Sequence, residues 1–228
     1  MKLNSLQLKI IAVVAMIIDH IAHYLLPVSH ELYLPMRIVG RIAAPIFWFC
    51  FAVGLKHTSN KQKYLSRLGA SAVIMGLGNI CVNVIFNNET YSFAYPNIFL
   101  TMFLSGLALW CIERILKDKD LVKITALSFI TLAISLAIHF LADYGLMALA
   151  CILCFYYVKN KNLKIIGYLL ISLIFCYIRN NFIQSAMVFI IPFLLFYTPE
   201  KPKNNLKWFF YVFYPAHVWL LMFISTLI

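Results

Sequence analysis

Charged residues are scarce in this chain, and acidic residues are the scarcest. Only 12% of the 228 residues are charged, with 8 Asp and Glu against 19 Lys and Arg. A soluble domain is about 25% charged and about 45–50% apolar, whereas this chain is 63% hydrophobic with a mean hydropathy of +0.87. Since a soluble core cannot hide so much apolar surface, the composition predicts a polytopic membrane protein.

Several functional signatures are also missing. The sequence has no Gly-rich phosphate loop, no zinc-type cysteine spacing and no low-complexity tract. The 6 cysteines all lie in or at the ends of apolar runs. We interpret them as small hydrophobic residues and predict no metal site. The net charge of +11 is spread over short loops between apolar runs, so we predict no nucleic-acid partner.

The apolar runs predict an all-α, polytopic transmembrane helix bundle of about nine spans, forming a single domain over residues 1–228. Several runs have close to 16 residues, fewer than the roughly 20 that a bilayer requires. We expect these shorter helices to pack inside the bundle or to cross part of the membrane. The predicted spans are Leu6–Leu26, Met36–Leu55, Tyr64–Phe86, Asn97–Leu116, Leu121–Leu141, Tyr144–Val158, Leu163–Ile178, Phe182–Tyr197 and Lys207–Ile228.

The loop charges predict the orientation of these spans. Cytoplasmic loops carry an excess of Lys and Arg, and an N-terminus in the cytoplasm with a C-terminus outside places 16 of the 19 basic residues there. Those residues are Lys2, Lys9, Lys56, Lys61, Lys63, Arg67, Arg114, Lys117, Lys119, Lys123, Lys159, Lys161, Lys164, Lys201, Lys203 and Lys207. Only Arg37, Arg41 and Arg179 fall on the other side.

Asp19 and His20 are adjacent ionisable residues within the first apolar run. An Asp near the centre of a bilayer costs about 2.5–3.5 kcal/mol, and such residues usually mark a substrate path or reaction centre. A rise of about 1.5 Å per residue places the pair in the outer half of the membrane. Arg37 and Arg41 share a face of the next helix and reach the same layer, so we expect Asp19 to pair with an Arg. A purely structural Asp–Arg pair remains the alternative.

Pro45 follows Arg41 by one turn and is expected to kink its helix. A second proline, Pro215, is expected to interrupt the last span near His217, and Tyr214 can share a face with that histidine. The aromatic run around Tyr214 would by itself be an interfacial belt. The buried histidine favours a functional role instead.

Three further sets of residues are candidate binding residues. His139 and Asp143 lie four residues apart near the outer side and precede Tyr144 and a glycine that is expected to turn the chain. Asn97 begins a helix at the same side, where a simple helix cap is the preferred interpretation. On the cytoplasmic side, a basic aromatic patch could bind the phosphates of a nucleotide-bearing donor, although a solvated loop explains it fully. The patch residues are His57, Lys61, Lys63, Tyr64 and Arg67.

Five segments, spread over almost the whole chain, carry a family resemblance. They are Leu8–Ala12 (LKIIA) leading to Met16–Ile21 (MIIDHI), Ile38–Phe47 (IVGRIAAPIF), Lys63–Leu68 (KYLSRL), Phe209–His217 (FFYVFYPAH) and the shorter Ala142–Gly145 (ADYG). Together they resemble the TraX family, which is named for the conjugation protein implicated in N-acetylation of F-type pilin.

The resemblance implies a polytopic acyltransferase that draws acetyl groups from cytoplasmic acetyl-CoA. The family's Asp-His pair falls on Asp19 and His20, its Gly-Arg pair on Gly40 and Arg41, and its Tyr-Pro-x-His motif on Tyr214, Pro215 and His217. Where the family is expected to have Ile and Phe around Gly-Arg and Pro, this chain has Val39 and Ala44. The difference alters the pocket and leaves the acceptor open.

These observations lead to a hypothesis of acetyl transfer from acetyl-CoA to an amine or hydroxyl acceptor, which could be a pilin-like peptide, a glycan or a lipid. His20 would be the general base, or form a transient acyl-imidazole, and would be oriented by Asp19. Arg41 and Arg37 would stabilise the oxyanion or the donor's phosphates, and His217 would bind or protonate at the far wall.

Two other function classes remain open. A transporter or channel could use the same Asp, His and Arg cluster for protons or anions, and a membrane assembly factor for a surface filament could use it only to organise helices. In each case we expect a multi-pass protein of the bacterial cytoplasmic membrane, in contact with membrane lipids.

Overall fold

The computed structural model describes residues 2–86, 92–94, 96–200 and 206–227. Within these ranges the chain is helical and contains no β-strand, which confirms the all-α prediction. Leu3 and Tyr197 form one isolated parallel bridge. In that bridge the Leu3 N–H donates to the Phe196 carbonyl, and Thr198 N–H donates to the Leu3 carbonyl, both at 2.8 Å.

Ten α-helices and one 3₁₀ helix make up the described fold. They are α1 (Ser5–Leu25), α2 (Tyr33–Gly40), α3 (Ala43–His57), α4 (Lys61–Phe86), α5 (Ile98–Ile115), α6 (Leu121–Leu141), α7 (Leu146–Tyr157), α8 (Lys161–Arg179), the 3₁₀ helix Phe182–Ile190, α9 (Ile191–Phe196) and α10 (Lys207–Ser225).

Seven of the described helical segments are long and apolar enough to cross a membrane by length and composition. Six of them are α1, α4, α5, α6, α8 and α10, and the seventh is Tyr33–His57, which α2 and α3 form together. Two shorter apolar segments, Leu146–Tyr157 and Phe182–Phe196, complete the set. At about 1.5 Å per residue, the 12 residues of α7 span roughly 18 Å, well under the roughly 30 Å of a hydrocarbon core.

The protein is therefore a multi-pass membrane protein with at least seven apolar helices of spanning length in its described part. The total of nine spans and the orientation of the termini stay predictions. Of the loop charges behind that orientation, Lys201 and Lys203 lie outside the described residues.

The chain divides into two compact units. The first comprises Met1–Phe51 and Cys154–Ile228, and in it α1 packs against α2 and α10. The second comprises Ala52–Leu153, and in it α5 packs against α4 and α6. Its apolar core includes the fully buried Ala108 and Ile138. The single-domain organisation stays a prediction.

Prolines affect two helices in different ways. The predicted Met36–Leu55 span is broken between Gly40 and Ala43. Pro45 lies in the first turn of α3, where its missing N–H is tolerated, so the break falls just before it. In contrast, the prediction that Pro215 interrupts the last span was wrong, because α10 continues through Pro215 to Ser225. The missing backbone N–H of Pro215 removes one hydrogen bond, and the hydrogen bonds of the neighbouring turns maintain the helix.

Candidate functional site

Asp19, Arg37 and Arg41 form a largely buried ion cluster between α1 and the C-terminal end of α2. The Arg41 Nη2 lies 2.7 Å from Asp19 Oδ1 and 2.5 Å from Oδ2, and the Arg37 Nη1 lies 3.1 Å from Oδ1. The Arg41 Nε also donates to the Arg37 carbonyl at 3.1 Å. The predicted pairing of Asp19 with an Arg is confirmed, and it involves both arginines.

Gly40 makes the ion cluster possible. It is buried against α1, and a Cβ at this position would lie 2.1 Å from the Asp19 Cβ and 2.4 Å from its Cγ. No real Cβ makes contacts that short, because atoms at that distance overlap. The absence of a side chain therefore lets the α2 backbone approach α1 closely enough for Arg37 and Arg41 to reach one carboxylate.

His20 and His217 form the second half of the site. The His20 Nδ1 and the His217 Nε2 are 2.8 Å apart, and the two rings are nearly parallel at an interplanar angle of 7°. The His217 Nδ1 lies 2.9 Å from the Phe213 carbonyl oxygen, one turn earlier in α10. His20 is half-buried and His217 is 9% exposed. Residues 197 positions apart in the sequence thus share one hydrogen bond.

Aromatic rings surround the histidine pair. Tyr214 is buried and its ring lies 6.4 Å from the His20 ring and 5.6 Å from the His217 ring. Tyr24, one turn after His20, has its ring centroid at 5.8 Å in an edge-on arrangement. The Phe213 ring is nearly parallel to the His217 ring, with a centroid distance of 4.9 Å. These contacts restrict the rotation of both imidazoles.

In the second unit, Asn97 connects several segments of main chain. It is the N-cap of α5 and accepts from the Leu100 N–H. Its side-chain amide donates to the Ala72 carbonyl at 2.9 Å and to the Phe93 carbonyl at 3.1 Å. The preferred interpretation of Asn97 as a cap is confirmed. Asn79, which was not a candidate from its sequence context, likewise donates to the carbonyls of Ser92 and Pro96.

Asp143 lies in the turn between α6 and α7 and joins Asn97. Its Oδ2 accepts from the Asn97 backbone N–H at 3.2 Å, while its buried Oδ1 has no hydrogen-bond partner in the described structure. Burial raises the pKa of Asp143 to about 7, and the bond from Asn97 opposes that shift only in part. Gly145 ends the turn with a φ of 55°, as its predicted turning role requires.

The structure places His139 on α6 and Asp143 in the turn that follows it. His139 lies near the end of α6, is exposed and contacts the ring of Phe140. Tyr144 is half-buried in the turn. Because α6 ends at Leu141, Asp143 lies beyond the helix, and the i to i+4 spacing from His139 does not place the two on one helical face.

The basic aromatic patch lies at the end of α3 and the start of α4. Lys63 is exposed, Tyr64 is half-buried, and the Arg67 guanidinium lies 5.7 Å from the Tyr64 ring centroid. An ion pair that the sequence did not reveal joins Lys61 to Glu113, with the Lys61 Nζ within 2.7 Å of both carboxylate oxygens. The patch is therefore anchored to α5 through Lys61, and the Lys63 side chain is exposed.

Comparison with known proteins identifies the family. The family model described as TraX protein matches residues 5–225. The chain belongs to the TraX family. It is also 30% identical, over a 238-residue alignment, to the probable fimbrial assembly protein FimC, serogroup H1, of Dichelobacter nodosus. That alignment covers 96% of this chain and 94% of the relative. No solved structure gives a significant match.

In this TraX-family chain, the motif residues of the first unit converge on one place. Asp-His, Gly-Arg and Tyr-Pro-x-His come from α1, α2 and α10 and meet at the ion cluster and the histidine pair. Sequence reasoning missed Tyr24 and Phe213 there. Each lies four residues from a site histidine, so the helical period around His20 and His217 was the signal that could have found them.

The site contains groups for proton transfer and for anion stabilisation. The ion cluster holds two guanidinium groups against one carboxylate, which leaves a net charge of +1 since Arg stays protonated. A guanidinium offers five N–H donors. A half-buried imidazole next to a cationic cluster suits a reaction in which a proton leaves an acceptor while negative charge develops nearby.

Proposed function

We propose that this protein is an integral-membrane acyltransferase that moves an acetyl group from acetyl-CoA to an amine or hydroxyl acceptor. The observation that carries the proposal is the half-buried His20, held 2.8 Å from His217 beside the cationic Asp19–Arg37–Arg41 cluster. Acyl transfer needs a base for the acceptor's proton and donors for the oxyanion of the tetrahedral intermediate.

Each component of the site has a role in this reaction. His20 removes the proton from the acceptor. Arg37, whose side chain is 18% exposed, and Arg41 stabilise the oxyanion, while Asp19 holds both guanidinium groups in place. This proposal differs from the expected arrangement, in which Asp19 orients His20, because the Asp19 oxygens contact Arg41 and Arg37 while the His20 Nδ1 contacts His217.

The proposed donor is acetyl-CoA and the proposed acceptor is the amino terminus of a pilin-like subunit. The fimbrial assembly name of the Dichelobacter nodosus relative supports an acceptor of this kind. The exposed Lys63 and the Arg67–Tyr64 contact suit the phosphates of coenzyme A. We place the protein in the bacterial cytoplasmic membrane, with this patch on the cytoplasmic side.

The experiment uses purified protein in nanodiscs with isotope-labelled acetyl-CoA. The acceptors are a pilin peptide with a free amino terminus, the same peptide with its amino terminus blocked, and a membrane lipid extract for hydroxyl acceptors. We expect transfer to the free-amine peptide by the wild type, a loss of transfer in His20→Gln, and transfer retained in His23→Phe, a matched change of an exposed histidine on the same helix.

Two outcomes would contradict the proposal. If His20→Gln transfers label as fast as the wild type, His20 is not the base. If the wild type transfers no label but carries protons or anions across proteoliposomes without acetyl-CoA, the same cluster belongs to a transporter.

A further inference from the structure

The chain of contacts from Phe213 to His20 has one consistent arrangement of protons when both rings are neutral. The Phe213 carbonyl only accepts, so the His217 Nδ1 at 2.9 Å carries hydrogen and donates. A neutral imidazole has one N–H, which leaves the His217 Nε2 as an acceptor. The His20 Nδ1, 2.8 Å away, must then donate, and the His20 Nε2 keeps its lone pair.

The surrounding rings keep this arrangement in place. The His20 and His217 rings lie nearly coplanar and edge to edge, with centroids 5.0 Å apart and an interplanar angle of 7°. The Phe213 ring lies nearly parallel to His217 with a centroid distance of 4.9 Å. Tyr24 and Tyr214 meet the His20 ring from the side. A ring flip of either histidine would exchange a nitrogen for a carbon in the 2.8 Å contact and would lose the hydrogen bond.

We propose that His217 is a positioning residue that holds His20 in the Nδ1–H tautomer, so that Nε2 is the atom that accepts the acceptor's proton. The inference rests on the proposed acyl transfer. It assigns to a histidine the orienting task that a carboxylate performs in a Ser-His-Asp triad. In this structure the Asp19 oxygens contact Arg41 and Arg37, and the partner of the His20 Nδ1 is the His217 Nε2.

The proton and bond changes of the step balance. The acceptor's N–H or O–H proton passes to the His20 Nε2 as the acceptor's N or O forms a bond to the acetyl carbon. The carbon–sulfur bond to coenzyme A breaks, and the sulfur leaves with the electron pair. The His20 imidazolium returns the proton to that thiolate. Throughout the step the His20 Nδ1–H keeps donating its hydrogen bond to the His217 Nε2. This bond stabilises the transient positive charge of the His20 imidazolium.

The test combines nitrogen NMR with two substitutions of the same residue. In protein with ¹⁵N-labelled histidine, protonated and unprotonated ring nitrogens have well-separated chemical shifts, and the spectrum of His20→Gln identifies the His20 signals. We expect a protonated Nδ1 and an unprotonated Nε2 at His20 in the wild type. His217→Phe keeps an aromatic ring but removes the acceptor, whereas His217→Gln supplies a carbonyl oxygen as a replacement acceptor.

We expect His217→Phe to move His20 towards the Nε2–H tautomer and to lower kcat by about 10²–10⁴-fold, the range of general base catalysis, with little change in KM. His217→Gln should recover part of kcat and the wild-type tautomer, and His23→Phe should change neither. An unprotonated Nδ1 at His20 in the wild type, or an unchanged kcat in His217→Phe, overturns the positioning role.

The failure of the two proposals can be told apart, because the tautomer measurement needs no donor or acceptor. If the wild type transfers no acetyl group, the proposed function fails. In that case a protonated His20 Nδ1 that depends on His217 still supports the positioning role, and its absence overturns that role too.

Discussion

The candidate polar residues of the two compact units differ in their main partners. In the first unit, side chains bond to side chains, as Asp19 does with two arginines and His20 with His217. In the second unit, Asn79 and Asn97 bond to main-chain carbonyls near the start of α5. The difference leads to a hypothesis: the residues bonded to other titratable side chains serve the proposed chemistry, and the asparagines bonded to main-chain carbonyls serve the architecture.

The sharpest test of this comparison is His20→Gln. We expect it to lower acetyl transfer by about 10²–10⁴-fold, since glutamine cannot accept the proton, and to leave the thermal stability close to that of the wild type. Steady-state kinetics with labelled acetyl-CoA and thermal unfolding in detergent micelles measure the two effects. If His20→Gln loses thermal stability in proportion to activity, the histidine pair has a structural role rather than a catalytic one.

The next largest effect concerns the ion cluster. Arg41→Ala leaves the Asp19 carboxylate buried with only Arg37, and breaking a buried pair costs about 3–5 kcal/mol. The matched control is Arg179→Ala, at an exposed position at the end of α8, which we expect to stay within about 0.5 kcal/mol. Denaturant titration in micelles measures both. Equal losses in the two variants would show that the cluster contributes no more than a surface charge.

A smaller loss of stability is expected on the architectural side. Asn97→Ala removes the cap of α5 and leaves the Ala72 and Phe93 carbonyls without their amide donor. A cap is worth about 1 kcal/mol, and an unsatisfied buried acceptor costs about 1–3 kcal/mol. The exposed Asn162→Ala in α8 is the control. The comparison predicts lower stability with unchanged kcat for the molecules that remain folded. A loss of kcat without a loss of stability would contradict the structural role assigned to Asn97.

A pH dependence of stability is expected at Asp143. Its folded pKa of about 7 lies above the ordinary value of 3.8, so the folded state binds the proton more tightly than the unfolded state. The contribution to stability is fully present below about pH 4 and is lost as the pH rises towards 7. Asp143→Asn keeps an acceptor for the Asn97 N–H without a charge. We expect the Tm of the wild type to fall relative to Asp143→Asn across this window, and parallel pH profiles would contradict the assignment.

Much of the fold and part of the site could be predicted from the sequence. Apolar length and helical period are local properties, so the helices and the Asp19–Arg pairing followed from spacing alone. The 2.8 Å contact between His20 and His217 could not, because it joins residues 197 positions apart whose meeting depends on how α1 and α10 pack. For the same reason His139 could not be separated from Asp143, since their spacing gave no sign that α6 ends at Leu141.

The close approach at Gly40 has a consequence for genetic variation in this protein. A methyl group there would occupy the space of the Asp19 carboxylate, whose Cγ and Oδ1 lie within 2.5 Å of the position. Gly40→Ala replaces one uncharged residue by another, and it would nevertheless separate the Asp19 carboxylate from the Arg37 and Arg41 guanidinium groups. In a mutational screen, Gly40→Ala should behave like the loss of an arginine. A suppressor of this change is expected first at residue 19, as a substitution that shortens its side chain.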